Sequence, residues 1–221
     1  MRTKSLRKHR AILEKTEPIF KGNPVLSLGI CLPFVVVPSM TLKSGVLLSL
    51  FMFIATVIPV ALYSSMGRTA KQYRFVISTI VSTLLVTAFS FATRNMFPDF
   101  YLLVGVYVIL FGVNGLTTYC QERCEGESVG KNIIFSLKAC TGYSLVVCFV
   151  SFIREFLALR TIWDHPVELI PFKLTGVAFP FFGFIFLGFL SAFFRTFERW
   201  IEKRLLVKSK RGRKEVTEDA K

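Results

Sequence analysis

Residues 23–40, "NPVLSLGICLPFVVVPSM", decide the fold of this chain, because they are apolar enough to enter a membrane yet contain several helix breakers. Gly29, Pro33 and Pro38 interrupt the apolar run, and Cys31 lies among them. Proline removes a backbone hydrogen-bond donor, and an unpaired backbone group in hydrocarbon costs several kcal/mol. The pattern therefore predicts a membrane-inserted segment whose helix is broken near Cys31 for a functional reason.

The rest of the chain has the composition of a membrane protein. Its 221 residues are 52% hydrophobic and include 24 phenylalanines, which is too apolar for a soluble domain of this length. Five uncharged windows reach the roughly 20 residues that span a bilayer as a helix, and a sixth does so if Lys138 lies within the span and its stem extends toward the headgroups. The six windows are residues 22–42, 44–67, 75–93, 100–121, 139–153 and 174–194. We predict an all-α membrane domain of six transmembrane helices over residues 22–194.

Positive charge is concentrated at the two ends of the chain. Residues 1–21 contain seven Lys/Arg and residues 195–221 contain ten, in a chain of net charge +14. Under the positive-inside rule, these ends are predicted to be a basic arm and a basic tail on the cytoplasmic side. Basic segments next to spans bind anionic headgroups, so the lipid bilayer, and not nucleic acid, is their expected partner.

Two of the six segments differ from the others. Segment one has the breakers described above, and segment four, "FYLLVGVYVILFGVNGLTTYCQ", contains three glycines and Asn114. Each is the first span of a group of three, and three spans reverse the direction of the chain. The pattern predicts two inverted repeats, residues 22–95 and 99–194, with broken first and fourth helices and a site between them. The alternative is that glycine and proline are simply common in membrane helices.

Two of the five cysteines coincide with the broken segments, namely Cys31 and Cys120. A straight helix would carry Cys120 to the cytoplasmic face, so we expect the two thiols to meet only if segment four unwinds around residues 112–115 and turns back. Cys140 and Cys148 are expected to be packing residues, and Cys124 is an uncertain candidate. Three polar groups near the break, Asn114, Thr117 and Thr118, are expected to cap backbone groups. A [2Fe–2S] cluster takes four cysteine sulfurs, so either another chain supplies two or these cysteines are not ligands.

Three pieces of sequence resemble the six-span membrane subunits of the Rnf/Nqr family. "NPVLSLGICLP" (23–33) resembles the family's "NPV…LG-C-P", and "LTTYCQERCEGE" (116–127), followed by "KN", resembles "PLI…NC…GRAEAFA". "FIREFLALRTIWD" (152–164) is similar to "IREILG…GTLF". Tyr119 stands where the family has Asn, and Glu125 stands where it has Arg, whereas Glu127 keeps the family's Glu.

The resemblance implies a function and a ligand set. It implies that Cys31 and Cys120 bind the iron of an intramembrane [2Fe–2S] cluster, which is shared with a paralogous six-span subunit of opposite topology. The chain would be an electron-relay subunit, similar to the RnfE/NqrD type, of a redox-driven ion-translocating complex that also contains flavin and iron–sulfur subunits. It would lie in a bacterial or archaeal cytoplasmic membrane, and no residue of its own is assigned a catalytic role.

Two other functions remain open from the sequence. One is an inverted-repeat transporter, which would use the glycines of the broken helices and would not need the cysteines. The other is a structural subunit without a cluster. An iron–sulfur signal that depends on Cys31 and Cys120 would separate the electron relay from both.

Overall fold

The computed structural model describes residues 19, 22–67, 70–96, 98, 107–123, 125–163, 165–166 and 174–218. The predicted basic arm therefore lies outside the described residues, apart from residue 19, and so does Cys124. The described part of the chain is mostly helical.

The first apolar segment forms two short helices, α1 (Pro24–Leu28) and α2 (Leu32–Val36). The Asn23 side chain begins α1 by accepting a hydrogen bond of 2.9 Å from the Val25 amide, and Pro24 occupies the first turn, where its missing N–H is not needed. Gly29 ends α1 in the left-handed conformation with a φ of 71°. The break in segment one is therefore built locally, by a cap on one side and a glycine on the other.

The remaining elements begin with two long helices, continue with two short ones, and end with two further long helices that are separated by short elements. They are α3 (Leu42–Ser65), α4 (Lys71–Arg94), α5 (Tyr107–Gly112), α6 (Gly115–Arg123), α7 (Val129–Arg154), a π-helix (Glu155–Leu159), the two-residue strands β1 (Thr161–Ile162) and β2 (His165–Pro166), a 3₁₀-helix (Thr175–Ala178), and α8 (Pro180–Glu218). The strands β1 and β2 pair antiparallel. Helix α8 continues without interruption through much of the predicted basic tail.

Four helices in the described residues are long and apolar enough to cross a membrane. They cover Leu42–Ser65, Lys71–Arg94, Val129–Leu159 and Pro180–Trp200. The predicted fifth window is part of a helix that begins at Val129, so Lys138 does lie within it. Windows one and four are each divided into short helices, as their glycines and prolines predict.

Helices α3 and α7 form the centre of the molecule and run antiparallel. The start of α3 meets the end of α7 at Gly45 and Ser151, where a Cβ on Gly45 would overlap the Ser151 side chain. At the other end, Asn132 Nδ2 donates a hydrogen bond of 2.8 Å to Ser64 Oγ. Because glycine and serine are small, the two helix axes approach closely along this contact.

The outer helices cover the broken segments. Helix α4 packs against α3 and α5, whereas α8 packs against α1, α2 and the 3₁₀-helix. The described elements thus repeat one order, a broken segment followed by two long helices, and each broken segment contacts the last helix of the other group.

Candidate functional site

Cys31 lies in the break of segment one, in an unusual backbone conformation. Its φ is 64°, in the left-handed region, which costs a residue other than glycine about 1–3 kcal/mol. Cys31 precedes the first residue of α2, but its side chain does not cap that helix. Instead, the buried Cys31 sulfur accepts hydrogen bonds from the backbone amides of Gly115 and Leu116. The strained backbone thus directs a thiol away from its own helix and toward another one.

The break of segment four is held by its own polar side chains. Asn114 Oδ1 accepts a hydrogen bond of 2.8 Å from the Thr117 amide, and Asn114 Nδ2 donates to the Phe111 carbonyl at 2.7 Å. Thr118 Oγ1 contacts the Asn114 carbonyl at 3.4 Å. Asn114 and Thr118 thus bond nearby backbone groups, as expected, whereas the Thr117 side chain bonds the Ala55 carbonyl of α3 instead. The Asn114 side chain keeps the first turn of α6 in place.

The two breaks lie against each other. A Cβ on Gly115 would come within 3.1 Å of Ile30 Cγ2, so only glycine allows this approach of the two chains without a shift. The rings of Phe34 in α2 and Phe111 in α5 also meet, with their centroids 4.6 Å apart. The amino-terminal end of α6, with its partial positive charge, therefore faces the Cys31 sulfur.

Hydrogen bonds to α3 fix where this contact lies along the length of the long helices. Thr117 Oγ1 donates to the Ala55 carbonyl at 3.0 Å, and Ser82 Oγ of α4 donates to the same carbonyl at 2.9 Å. Ala55 lies about 20 Å from the start of α3, which is roughly 36 Å long. The Cys31 sulfur, bonded to the first turn of α6, is thus near the middle of the long helices.

Cys120 lies farther along α6 and is fully buried. The expected return of segment four is wrong, because α6 does not turn back. Gln121 bonds Ser78 of α4 at 2.9 Å, and Glu125, farther along the chain, bonds Lys71 at the start of α4 at 2.7 Å. The chain therefore continues in one direction along α4. Cys120 needs no reversal, because it follows Gly115 by only about 7.5 Å of helical rise. Cys31 and Cys120 belong to the same continuous buried cluster.

Cys140 and Cys148 have neighbours that fit packing roles. The Cys140 sulfur is buried 3.8 Å from the Met52 carbonyl, and Cys148 is half-buried 3.9 Å from Ser49 Oγ. Between them on α7 is Tyr143, a fully buried residue whose hydroxyl has no hydrogen-bond partner in the described part of the chain. The sequence offers no signal that singles out this tyrosine.

A comparison with protein families identifies the chain. A family described as "Rnf-Nqr subunit, membrane protein" matches residues 12–197. The chain belongs to this family. Its matched region includes both breaks and all the cysteines discussed above. No curated protein matches the chain.

Members of the Rnf–Nqr family are membrane subunits of redox-driven ion-translocating complexes, which raises the question of what this chain contributes to a metal site. Within the described residues there is no group of three or more His, Cys, Asp or Glu side chains that would hold a metal ion. Two buried thiols on adjoining elements, Cys31 and Cys120, amount to half of the four-sulfur ligand set of a [2Fe–2S] cluster. The donor set therefore fits a site shared with another chain and does not fit one closed by the described residues alone.

In this Rnf–Nqr subunit, Glu125 lies in the loop between α6 and α7, and the structure gives that residue a role. Glu125 forms ion pairs with Lys71 at 2.7 Å and with Arg74 at 3.4 Å. The hydrogen bond from Lys71 lowers the pKa of the Glu125 carboxyl. The cation of Arg74 also lies 4.7 Å from the centre of the Tyr63 ring. The acidic residue thus ties the loop after α6 to the start of α4.

Two neighbouring buried residues that carry charge, Arg154 and Glu155, were not predicted from the sequence. Arg154 is fully buried and donates to the carbonyls of Val36, Ser39 and Ala178. Glu155, also buried, accepts a hydrogen bond of 2.6 Å from the Leu42 amide. The available signal was the position of "RE" at the end of a long apolar run, since intramembrane charges usually have structural or functional partners.

Proposed function

We propose that this chain is an electron-relay subunit of an Rnf/Nqr-like ion-translocating complex, and that Cys31 and Cys120 hold half of an intramembrane [2Fe–2S] cluster. The observation that carries the proposal is the contact between the two breaks, which places the Cys31 sulfur against the Gly115 and Leu116 amides near mid-depth. When bound, the cluster supplies one-electron transfer. A paralogous six-span subunit of opposite topology would contribute the other two thiolates.

The residues around the breaks have the chemistry that such a site needs. A cysteine that ligates iron is a thiolate, and its negative charge in a low-dielectric interior needs nearby donors. The two amides of α6 donate to the Cys31 sulfur, and the helix dipole adds to their effect. Fully buried neighbours such as Leu116 and Phe111 keep water away from the site. The strained conformation at Cys31 aims the thiol at these donors.

Six spans and inverted repeats remain part of the proposal. Because α3 and α7 are antiparallel, Leu42 and Glu155 lie at one end of the molecule, while Ser64 and Asn132 lie at the other. Helix α4 returns beside α3, so the chain must cross again through segment four to reach the start of α7. Segment one runs in the opposite sense to α3, from Gly22, whose amide bonds Glu198, to Val36, whose carbonyl bonds Arg154, and we infer that it forms the sixth crossing. These contacts support two broken spans beside four continuous ones.

The proposed function also implies partner subunits and an orientation in the membrane. A sister subunit would complete the ligand set, and flavin and iron–sulfur subunits would exchange electrons with the cluster from the two sides of the membrane. Helix α4 exposes many apolar side chains, including Tyr73, Ile80 and Leu84. Such a face suits lipid or a neighbouring membrane subunit. The basic ends favour a cytoplasmic location for both termini, as in the RnfE/NqrD type.

The decisive experiment uses the intact complex, purified with this chain and its partner subunits. In the wild type we expect a [2Fe–2S] EPR signal after reduction, and we expect Cys31→Ala and Cys120→Ala each to lose it. Cys148→Ala is the matched control, because that half-buried cysteine contacts only Ser49 among the polar groups described for it and should leave the signal intact.

Three results would contradict the proposal. A wild-type complex without the signal favours a structural subunit or a transporter. A Cys31→Ala or Cys120→Ala complex with full cluster occupancy removes that residue from the ligand set. Loss of the signal in Cys148→Ala, with the complex still assembled, assigns the ligand role to a different thiol.

A further inference from the structure

Arg154 is a buried cation whose hydrogen-bond partners in the described part of the chain are uncharged. Its side chain is 0% exposed. The guanidinium donates to the carbonyls of Val36 and Ser39 in segment one, and to the Ala178 carbonyl at 2.7 Å. It also lies 3.0 Å from the Met40 sulfur. These partners satisfy its hydrogen bonds but do not neutralise it, so the positive charge acts on its surroundings through a low-dielectric interior.

The contact with Val36 places this charge close to the cysteine of the first break. Helix α2 runs from Leu32 to Val36, and Cys31 directly precedes it. Five residues of helix rise by about 7.5 Å, and the guanidinium lies one hydrogen bond beyond the Val36 carbonyl. The charge of Arg154 is therefore on the order of 12 Å from the Cys31 sulfur.

The neighbouring buried acid, Glu155, is farther from this cysteine. Its carboxylate accepts a hydrogen bond from the Leu42 amide, at the start of α3. The first break packs against the start of α6, where a Cβ on Gly115 would touch Ile30. Helix α6 bonds the carbonyl of Ala55, which lies about 20 Å along α3 from Leu42. The arginine is thus the nearer of the two charges, and the acid offsets only part of its field.

We propose that the positive charge of Arg154 raises the reduction potential of the [2Fe–2S] cluster held by Cys31. This inference rests on the proposed function. Reduction adds one electron, and hence one negative charge, to the cluster, so a nearby cation stabilises the reduced form more than the oxidised form. At an effective dielectric constant of about 20, two unit charges roughly 12 Å apart change an equilibrium constant about tenfold. For a one-electron couple, this change corresponds to about 59 mV.

The first test is a potentiometric EPR titration of the intact complex with Met40→Glu, compared with Met40→Gln. Because the Met40 sulfur lies 3.0 Å from the guanidinium, the new carboxylate pairs with Arg154 and cancels its charge, whereas the neutral amide of the same shape does not. Both variants keep the arginine and the carbonyls that it bonds. We expect Met40→Glu to lower the equilibrium constant for reduction about tenfold, and Met40→Gln to keep the wild-type midpoint.

A second pair of variants removes or keeps the charge at residue 154 itself. Arg154→Met removes the charge and should lower the equilibrium constant for reduction about tenfold. Arg154→Lys keeps the charge with fewer hydrogen bonds, so its midpoint should stay near that of the wild type even though its stability falls. A purely structural role predicts instead that the midpoint follows the stability of both variants.

The two pairs of variants distinguish failure of this inference from failure of the proposed function. Equal midpoints in Met40→Glu and Met40→Gln, with full cluster signals, overturn the inference and leave the proposed function intact. Equal shifts in Arg154→Met and Arg154→Lys do the same, because they assign the effect to packing. If Arg154→Met loses the cluster, the Met40 pair decides. A wild-type complex without any cluster signal rejects the proposed function, and this inference with it.

Discussion

At the scale of single residues, Arg154 connects three parts of the chain. Its guanidinium donates to the Ala178 carbonyl at 2.7 Å, to the Ser39 carbonyl at 3.2 Å and to the Val36 carbonyl. These carbonyls lie at or beyond the end of α2 and in the 3₁₀-helix, where they have few helical partners of their own. Arg154 therefore fixes the end of the broken segment that contains Cys31.

Replacing Arg154 with methionine should lower the free energy of unfolding by about 3 kcal/mol, because several buried carbonyls lose their donors at once. Arg154→Lys should lie between this variant and the wild type, since a single ammonium group lacks the planar fork of the guanidinium. The measurement is the unfolding of the purified protein in detergent. Lys131→Met on the same helix is the control, because Lys131 is exposed and pairs only with Glu127 among the salt bridges described for it. Equal stability of Arg154→Met and Lys131→Met would contradict the assigned role of Arg154.

Residue identities predicted part of the site and missed the rest. The break at Cys31 was predictable because Gly29 and Pro33 act locally on the backbone. The burial of Arg154 and Tyr143 was not, because it depends on which face of α7 meets the broken segments. A single sequence gives the composition of a helix face but does not give its neighbours.

At the scale of elements, close approach of helices holds segment four in place. A Cβ on Gly112 would come within 2.5 Å of the Thr83 Cα, so the backbones of α5 and α4 touch at this point. In the absence of a hydrophobic driving force between helices in lipid, such small-residue contacts supply much of the packing energy. The position of the second break depends on this contact.

Gly112→Ala should force α5 away from α4 and destabilise the protein by about 1–3 kcal/mol, the usual cost of overpacking. Gly188→Ala is the matched control, because Gly188 is also helical and has nothing within 4 Å of an added Cβ. That variant should be neutral or should gain up to about 1 kcal/mol from helix propensity. Thermal unfolding of both variants in detergent tests the difference. If Gly112→Ala matched Gly188→Ala, the contact with Thr83 would not constrain the fold.

The element pattern was predictable to different degrees. The second break fell within residues 112–115, where "GVNG" indicated it, and the fifth helix did contain Lys138. The predicted return of segment four was wrong, because α6 continues past the break in the same direction along α4. Local breakers show where a helix is interrupted, but packing decides the direction of the chain afterwards.

At the scale of the whole molecule, the direction of each helix has consequences for topology. The loops around residues 67 and 125 lie at one end of the molecule. There Lys71 pairs with Glu125, and Asn132 bonds Ser64. The start of α3 and the end of α7 lie at the other end, where the Leu42 amide bonds Glu155. If the chain crosses the membrane six times, as proposed, the first of these ends lies on the same side as both termini. The basic charge at the termini favours the cytoplasm for that side.

This arrangement predicts the accessibility of particular loops in sealed cells. A protease site inserted after Gly67, or placed at either terminus, should resist external protease until the cells are opened. A site inserted after Trp163 should be cut from outside, because that exposed turn follows the end of α7. If segments one and four did not cross, the Gly67 and Trp163 sites would fall on the same side, since only α4 and α7 would separate them. Cutting of both sites from outside would therefore contradict six spans, whereas cutting at Gly67 and at the termini alone would reverse the orientation.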